Sequence, residues 1–276
     1  MPDLSDRITR ESELDTELQR AFSRQHKRVI GTPLTAQIDW REFQSSIGDA
    51  FATNLGVTFG VASANMLRTQ ATDREEELAL LLFLLADDGL VRDVQRRLTN
   101  LTPNRLPDSA RQWADGTSRI LASETVARTQ AQILKARRVA AEAAQTAETA
   151  AEAIQRERDA YFERIDPLFR PTRSESIAIT ETTRAISQGE GNGRLIIETN
   201  TGRVLESIWM TEVEKFGTDP PIGPPPPYGV CPICLPFHKK REPAWHNEFP
   251  TGPPAHPRCR CFLDWRVLSG VPFGVN

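Results

Sequence analysis

The sequence predicts a mainly α protein that ends in a small C-terminal α+β module built from a helix, a β-hairpin and a cysteine-rich knuckle. Three observations lead there. Apolar residues recur at helical spacing from Gln37 onward, the period changes to that of strands after Gly193, and all four cysteines (Cys231, Cys234, Cys259 and Cys261) fall beyond residue 230.

Taken in order, the first 35 residues read as a polar arm with a short helix. From Gln37 to Gln70, the apolar residues Trp40, Phe43, Ile47, Phe51, Leu55 and Phe59 form one helical stripe. Ala50 to Leu67 carries no charge over 18 residues and contains Gly56-x-x-x-Gly60. Its Thr53, Asn54, Thr58, Ser63 and Asn65 favour a small-residue packing helix over a membrane span. The longest apolar run, Leu78 to Ala86, is far too short to cross a bilayer, and the acidic N-terminus lacks the basic start of a secretory signal. A cytoplasmic working compartment is therefore expected.

A second helical segment is expected from Asp73 to Leu98, with Asp73 as cap and Glu75, Glu76 and Glu77 in the first turn; Thr102-Pro103-Asn104 breaks it. A third stretch, capped by Asp108, continues to about Ile165. Its middle, Val139 to Ala153, has high helix propensity but little to bury, so a solvent-bridging or loosely paired helix is expected rather than a coiled coil. Pro167 and Pro171 end it. Thr172-Arg-Ser-Glu175 has capping-box spacing and opens a helix through Ile177, Ile179 and Ile186 to Gln188, with Gly189 placed to stop it. Arg194 to Glu198 and Arg203 to Met210 then read as two strands of a hairpin joined by Thr199-Asn-Thr-Gly202. Thr218 to Gly229 carries six prolines, a stiff spacer. The expected organisation is an arm (1–35), a helical body (36–170), a C-terminal domain (171–266) with spacer 218–229 and knuckle 230–265, and a tail (267–276).

The formal net charge of −3 is too small for a dedicated nucleic-acid or membrane binder. It is unevenly placed, with +3 between Tyr228 and Arg266 and −6 before it. Lys239, Lys240, Arg241, Arg258 and Arg260 are the candidate contacts to DNA or to a partner, ordinary solvated charge being the alternative.

Cys231-x-x-Cys234 and Cys259-x-Cys261 are separated by 24 residues. Two close cysteine pairs joined by a returning loop suit a tetrahedral zinc ion, and a turn-rich segment with little core needs such a staple. Because Cys-x-Cys is tighter than the usual second knuckle, His256 is an alternative ligand to Cys259 or Cys261, with His238 and His246 as further candidates. Reduced buried thiols, or disulfides formed after release from the cell, are the competing readings. Four protein ligands close a site, which argues for structure and against catalysis. A zinc-stapled nuclease of the HNH kind, suggested by His246-Asn247, lacks an Asp-His pair, and Pro243 and Pro250 leave no room for its helix. No phosphate loop, nucleophile elbow or His-Glu-x-x-His is present.

Trp209-Met-Thr, Val230-Cys-Pro-Ile-Cys234 and Gly252-Pro-Pro-Ala-His-Pro-Arg-Cys-Arg-Cys261 together resemble the end of the phage Mu F-like head-morphogenesis domain. That family has a Thr-Glu-x-x-Arg helix, a strand ending in Trp, a Cys-x-x-Cys and a closing Pro-Pro-x-His-Pro-x-Cys-Arg-Cys. Ile179-Thr-Glu-Thr-Thr-Arg184 resembles the helix, and the likeness covers about Thr172 to Trp265. The Pro-rich stretch before Cys231 departs from the family's short turn. The resemblance implies a non-enzymatic minor head protein, present in a few copies near the portal and needed for assembly or DNA passage. It also implies partners among portal, capsid or scaffold proteins, and a location in the virion after assembly in the host cytoplasm. The Glu181–Arg184 pair is expected to be a local ion pair, an interface contact being the alternative.

Overall fold

A computed structural model describes residues 4–70, 108–201, 204–211 and 232–269. The expected class is observed: the chain is mainly helical, with a small three-stranded antiparallel sheet and a cysteine cluster near the C-terminus. The helices are α1 (Leu4–Gly31), α2 (Arg41–Gln70), α3 (Asp108–Ala144), α4 (Ala150–Ile165), α5 (Pro171–Thr201) and the single turn α6 (Glu242–Trp245). The strands are β1 (Val204–Met210), β2 (Lys240–Arg241) and β3 (Phe262–Ser269). The expected helix at Asp73–Leu98, the Pro-rich spacer and Cys231 lie outside the described residues. None of the described helices is long and apolar enough to cross a membrane.

The chain forms two compact units. One comprises Ser12–Ala52 and Asp115–Ala178. Its core holds Leu14, Leu18 and Phe22 of α1, Phe43, Ile47 and Phe51 of α2, Ile133 of α3, and Ile165 and Phe169 after them. Phe22 lies 5.4 Å from Phe43 and 6.4 Å from Phe169, ring centre to ring centre. Of the predicted stripe, Phe43, Ile47 and Phe51 face this core, Leu55 and Phe59 are buried in the other unit, and Trp40 precedes α2 and is half-buried.

The N-terminal arm is a correction. It is a helix of 28 residues, and its buried stripe runs through Arg7, Glu11, Leu14, Leu18, Phe22, Gln25 and Val29. Three of those positions are polar, which hides the helical stripe in the sequence. The stretch expected to stay helical to Ile165 also breaks, between Ala144 and Ala150. Thr149 caps α4 by accepting from Glu152 N at 3.2 Å, and Glu152 accepts from Glu148 N at 3.1 Å. With nothing to bury, this local cap outweighs the propensity of the alanines. Pro171 takes the first position of α5, where its missing N–H costs nothing, so the helix begins one residue ahead of the expected Thr172 cap.

The other unit comprises Met1–Glu11, Thr53–Ala114 and Ile179–Asn276. In it α5 runs straight through Gly189, the expected stop, and through Arg194–Glu198, the expected first hairpin strand. A Cβ on Gly189 would stand 2.3 Å from Phe59 O, and one on Gly193 would stand 2.9 Å from Ser63 O. These glycines, four residues apart, let α5 lie against the backbone of α2 rather than end. Arg194 pairs with Glu198 at 3.0 Å, an i,i+4 bridge, and Ile197 is buried with Met66 and Leu205. Packing overrides the β propensity of the two isoleucines.

Glu198 also accepts from Leu205 N at 2.9 Å and so ties the helix end to the start of β1. β1 is the central strand of order β2-β1-β3; its partner is β3, with Leu205 opposite Val267 and Met210 opposite Phe262. Trp265 of β3 donates through Nε1 to buried Glu190 at 3.3 Å. Burial pushes the Glu190 carboxyl up to about 7 despite that bond.

Gly189→Ala should lower stability by about 1–3 kcal/mol, because the obstruction is backbone and cannot swing aside. Gly191, with nothing within 4 Å of its would-be Cβ, should instead gain up to about 1 kcal/mol on change to Ala from helix propensity alone. Thermal melts of the two variants check this, and equal shifts would refute the close approach.

Candidate metal centre

The centre is assembled from three segments. β1 brings Trp209, a tight turn at Cys234–His238 brings the first thiol, and the loop entering β3 brings the rest. Trp209 is fully buried, with Phe249 at 5.4 Å, Trp245 at 5.5 Å and Phe237 at 5.9 Å between ring centres. Cys234, Cys259, Cys261 and Leu263 complete this cluster. Lys239 N donates to Trp209 O at 2.8 Å and closes the first turn back onto β1.

The sulfurs of Cys234, Cys259 and Cys261 lie within 4.8 Å of one another and all three residues are buried. The Cys234–Cys259 sulfur separation is 3.7 Å. A tetrahedral thiolate site with metal–sulfur bonds of about 2.3 Å has an edge of about 3.8 Å, whereas a disulfide requires about 2.0 Å. All three thiols are free. His256 Nε2 stands 3.1 Å from Cys234 Sγ, and its Nδ1 lies 2.7 Å from Pro257 O. That carbonyl assigns the proton to Nδ1 and turns the Nε2 lone pair toward the thiols, the usual arrangement of a ligating imidazole. The described residues thus present three sulfurs that can hold a metal ion, with the His256 nitrogen close to one of them.

The electrostatics agree. Bonds from Cys234 and Cys261 hold the Cys259 thiol well below its ordinary range, while the Cys234 thiol is pushed up by donating to Cys259 and by burial. For Cys261 the contact with Cys234 pulls down, but Cys259 and burial prevail and the thiol shifts up. Burial pulls His256 down, but the Cys259 bond and charge and the Pro257 carbonyl together raise it. Three buried sulfurs crowded upon one another are a set that a bound cation would relieve. Trp209 Nε1 finds no nitrogen or oxygen acceptor; it interacts with the Cys261 sulfur.

The other candidates separate from the centre. His238 Nδ1 accepts from Thr211 N at 3.2 Å and contacts Thr211 Oγ1 at 2.9 Å, and exposed His246 lies 3.9 Å from Glu242. Among the basic residues, Lys239, Lys240 and Arg241 are exposed, with Arg241 3.4 Å from Glu206. The Arg260 side chain, 23% exposed, is paired with Glu11 at 2.5 Å. Arg184 pairs with Glu181 at 2.5 Å, the local ion pair that was expected.

Spacing alone gave no sign of Thr180, Thr183, Arg7 and Glu11. Thr180 Oγ1 accepts from Arg258 N at 2.8 Å, and the Thr183 hydroxyl bonds to Cys259 O at 2.5 Å. The one signal in the sequence is the i,i+4 spacing of Arg7 and Glu11, which says nothing of their distant partners. A concavity of about 670 Å³ beside the sheet is lined by Trp113, Trp245 and Trp265, with Arg194 and Glu242 paired to each other at 2.7 Å.

Comparison with protein-family models, with curated proteins and with solved structures finds no match.

Protein purified without chelator should carry about one metal equivalent per chain. Cys234→Ser should lose the metal and loosen the cysteine loops while far-UV helicity stays largely intact, because the long helices lie outside them. Metal-free protein whose thiols titrate freely would remove the centre.

Proposed function

We propose that this chain is a minor structural protein of a phage head, sited near the portal, that acts in head morphogenesis and in DNA packaging or ejection, and that it is not an enzyme. The observation that carries the reading is the closing Pro253-Pro-Ala-His256-Pro-Arg-Cys259-Arg-Cys261, which resembles the end of the Mu F-like domain. Its hydrogen bonds run to Thr180 and Thr183, on the helix that supplies the same family's Thr-Glu-x-x-Arg pattern. Two sequence features related only by that resemblance are thus in direct contact. The metal is proposed to be zinc, which a set of thiolates with an imidazole beside them favours over harder cations. A fourth protein ligand, His256 or Cys231, would close the site and make its role structural. Cys231 remains the competing fourth ligand.

Crosslinking mass spectrometry of particles should join this chain to portal subunits at low copy. Deleting Cys231–Cys261 should give defective or non-infectious heads with the major shell intact. Fully infectious particles lacking the protein, or hundreds of copies spread across the lattice, would defeat the proposal.

A second reading, a zinc-stapled nucleic-acid module, draws support from the exposed side chains of Lys239 and Lys240. If these contact DNA phosphates, changing both to Ala should flatten the salt dependence of duplex binding by about two units at most. Binding that is absent or insensitive to salt would leave the head protein as the supported role.

A further inference from the structure

We propose that the first turns of α1 hold the metal-binding loop in its coordinating shape, so that Arg7 and Glu11 act as positioning residues for an ion bound near the other end of the chain. The inference rests on the cysteine cluster being a metal centre.

Three of the four described donors, His256, Cys259 and Cys261, come from a stretch of six residues. Between them Arg258 sits at φ 63, a left-handed conformation that a residue with a side chain seldom adopts. One turn bond, from Cys259 N to His256 O at 3.2 Å, lies within the loop, and other backbone groups are taken up by side chains from elsewhere. Arg258 N donates to Thr180 Oγ1 at 2.8 Å, Cys259 O accepts from Thr183 Oγ1 at 2.5 Å, and Arg260 O accepts from Arg7 at 2.9 Å.

The Arg7 guanidinium joins all of this. Besides Arg260 O it donates to Thr183 Oγ1 at 2.6 Å and to Glu11 at 3.1 Å, and it is 4% exposed. Glu11 in turn receives the Arg260 side chain through both Nε and a terminal nitrogen, at 3.1 and 2.5 Å. In the Cys259-Arg260-Cys261 run, the two cysteines enter the thiol cluster while the arginine between them is anchored on α1. A charged pair so deeply buried is satisfied only in this one arrangement, and the arrangement sets where both sulfurs lie. Linkage makes the coupling reciprocal: if docking α1 favours the coordinating loop, the ion must favour the docked α1 by the same factor.

The test uses the full chain. Zinc affinity is measured by competition with a chromophoric chelator for the parent protein and for Arg7→Met, Glu11→Gln, Thr183→Val and Arg128→Met, the last removing an exposed pair with Glu124 on α3. The first three should weaken zinc by about 10- to 100-fold, as loss of an outer-shell partner does, and should change the thiolate-to-metal absorption of the cobalt-substituted chain. Arg128→Met should change neither. Zinc removal should speed amide exchange in residues 4–11 of the parent. Should Arg7→Met fail to fold, the near-isosteric Glu11→Gln carries the same comparison. Unaltered affinity and cobalt spectra in folded Glu11→Gln and Thr183→Val, or amide exchange in α1 indifferent to zinc, would overturn the clamp while leaving the centre. A parent chain that binds neither zinc nor cobalt would overturn both.

Discussion

Everything that converges on the thiols is packed around the Trp209 indole, because the segment bearing the cysteines is too turn-rich to close a core of its own. Trp209 sits on the central strand, so the sheet fixes it from both sides. The aromatic rings of Phe237, Trp245 and Phe249 surround it, and the three cysteines and Leu263 finish the cluster. A metal held there would be coordinated by side chains whose other neighbours are already rigid. That is the condition under which ligand geometry survives without a large surrounding domain.

The remaining support is polar, and it comes from far away in sequence. Two threonines of α5 and Arg7 of α1 bind backbone groups of the loop that carries His256, Cys259 and Cys261, and Glu11 holds the Arg260 side chain. Buried ion pairs are seldom an efficient source of stability, since desolvation offsets much of the attraction. Their use here is better understood as selecting one loop conformation from several. The same reasoning explains why Arg260, a candidate for DNA contact by charge alone, is committed to a carboxylate inside the molecule.

The proposed role as a portal-proximal head protein agrees with this division of labour. The sequence that resembles the Mu F-like domain is the part stapled by cysteines and clamped by helices. The exposed basic side chains of Lys239 and Lys240 lie at the turn into the edge strand β2, away from the clamp. A partner or a DNA phosphate would meet those side chains without disturbing the centre.

The sequence by itself determined the helical class, the core stripe from Phe43 to Phe59, the ion pair of Glu181 with Arg184, and the gathering of Cys234, Cys259 and Cys261 into one cluster. Each depends on a local period or a short spacing, which residues a few positions apart settle among themselves. Tertiary structure alone decided the rest. Gly189 and Gly193 look like helix stops until the α2 backbone is found against them, and Ile196 and Ile197 look like a strand until Ile197 is buried beside Met66. The N-terminal helix looks like a polar arm because three of its buried positions are Arg7, Glu11 and Gln25. Their hydrogen-bond partners come from distant parts of the chain, and no local pattern can announce a polar residue whose burial is satisfied by another segment.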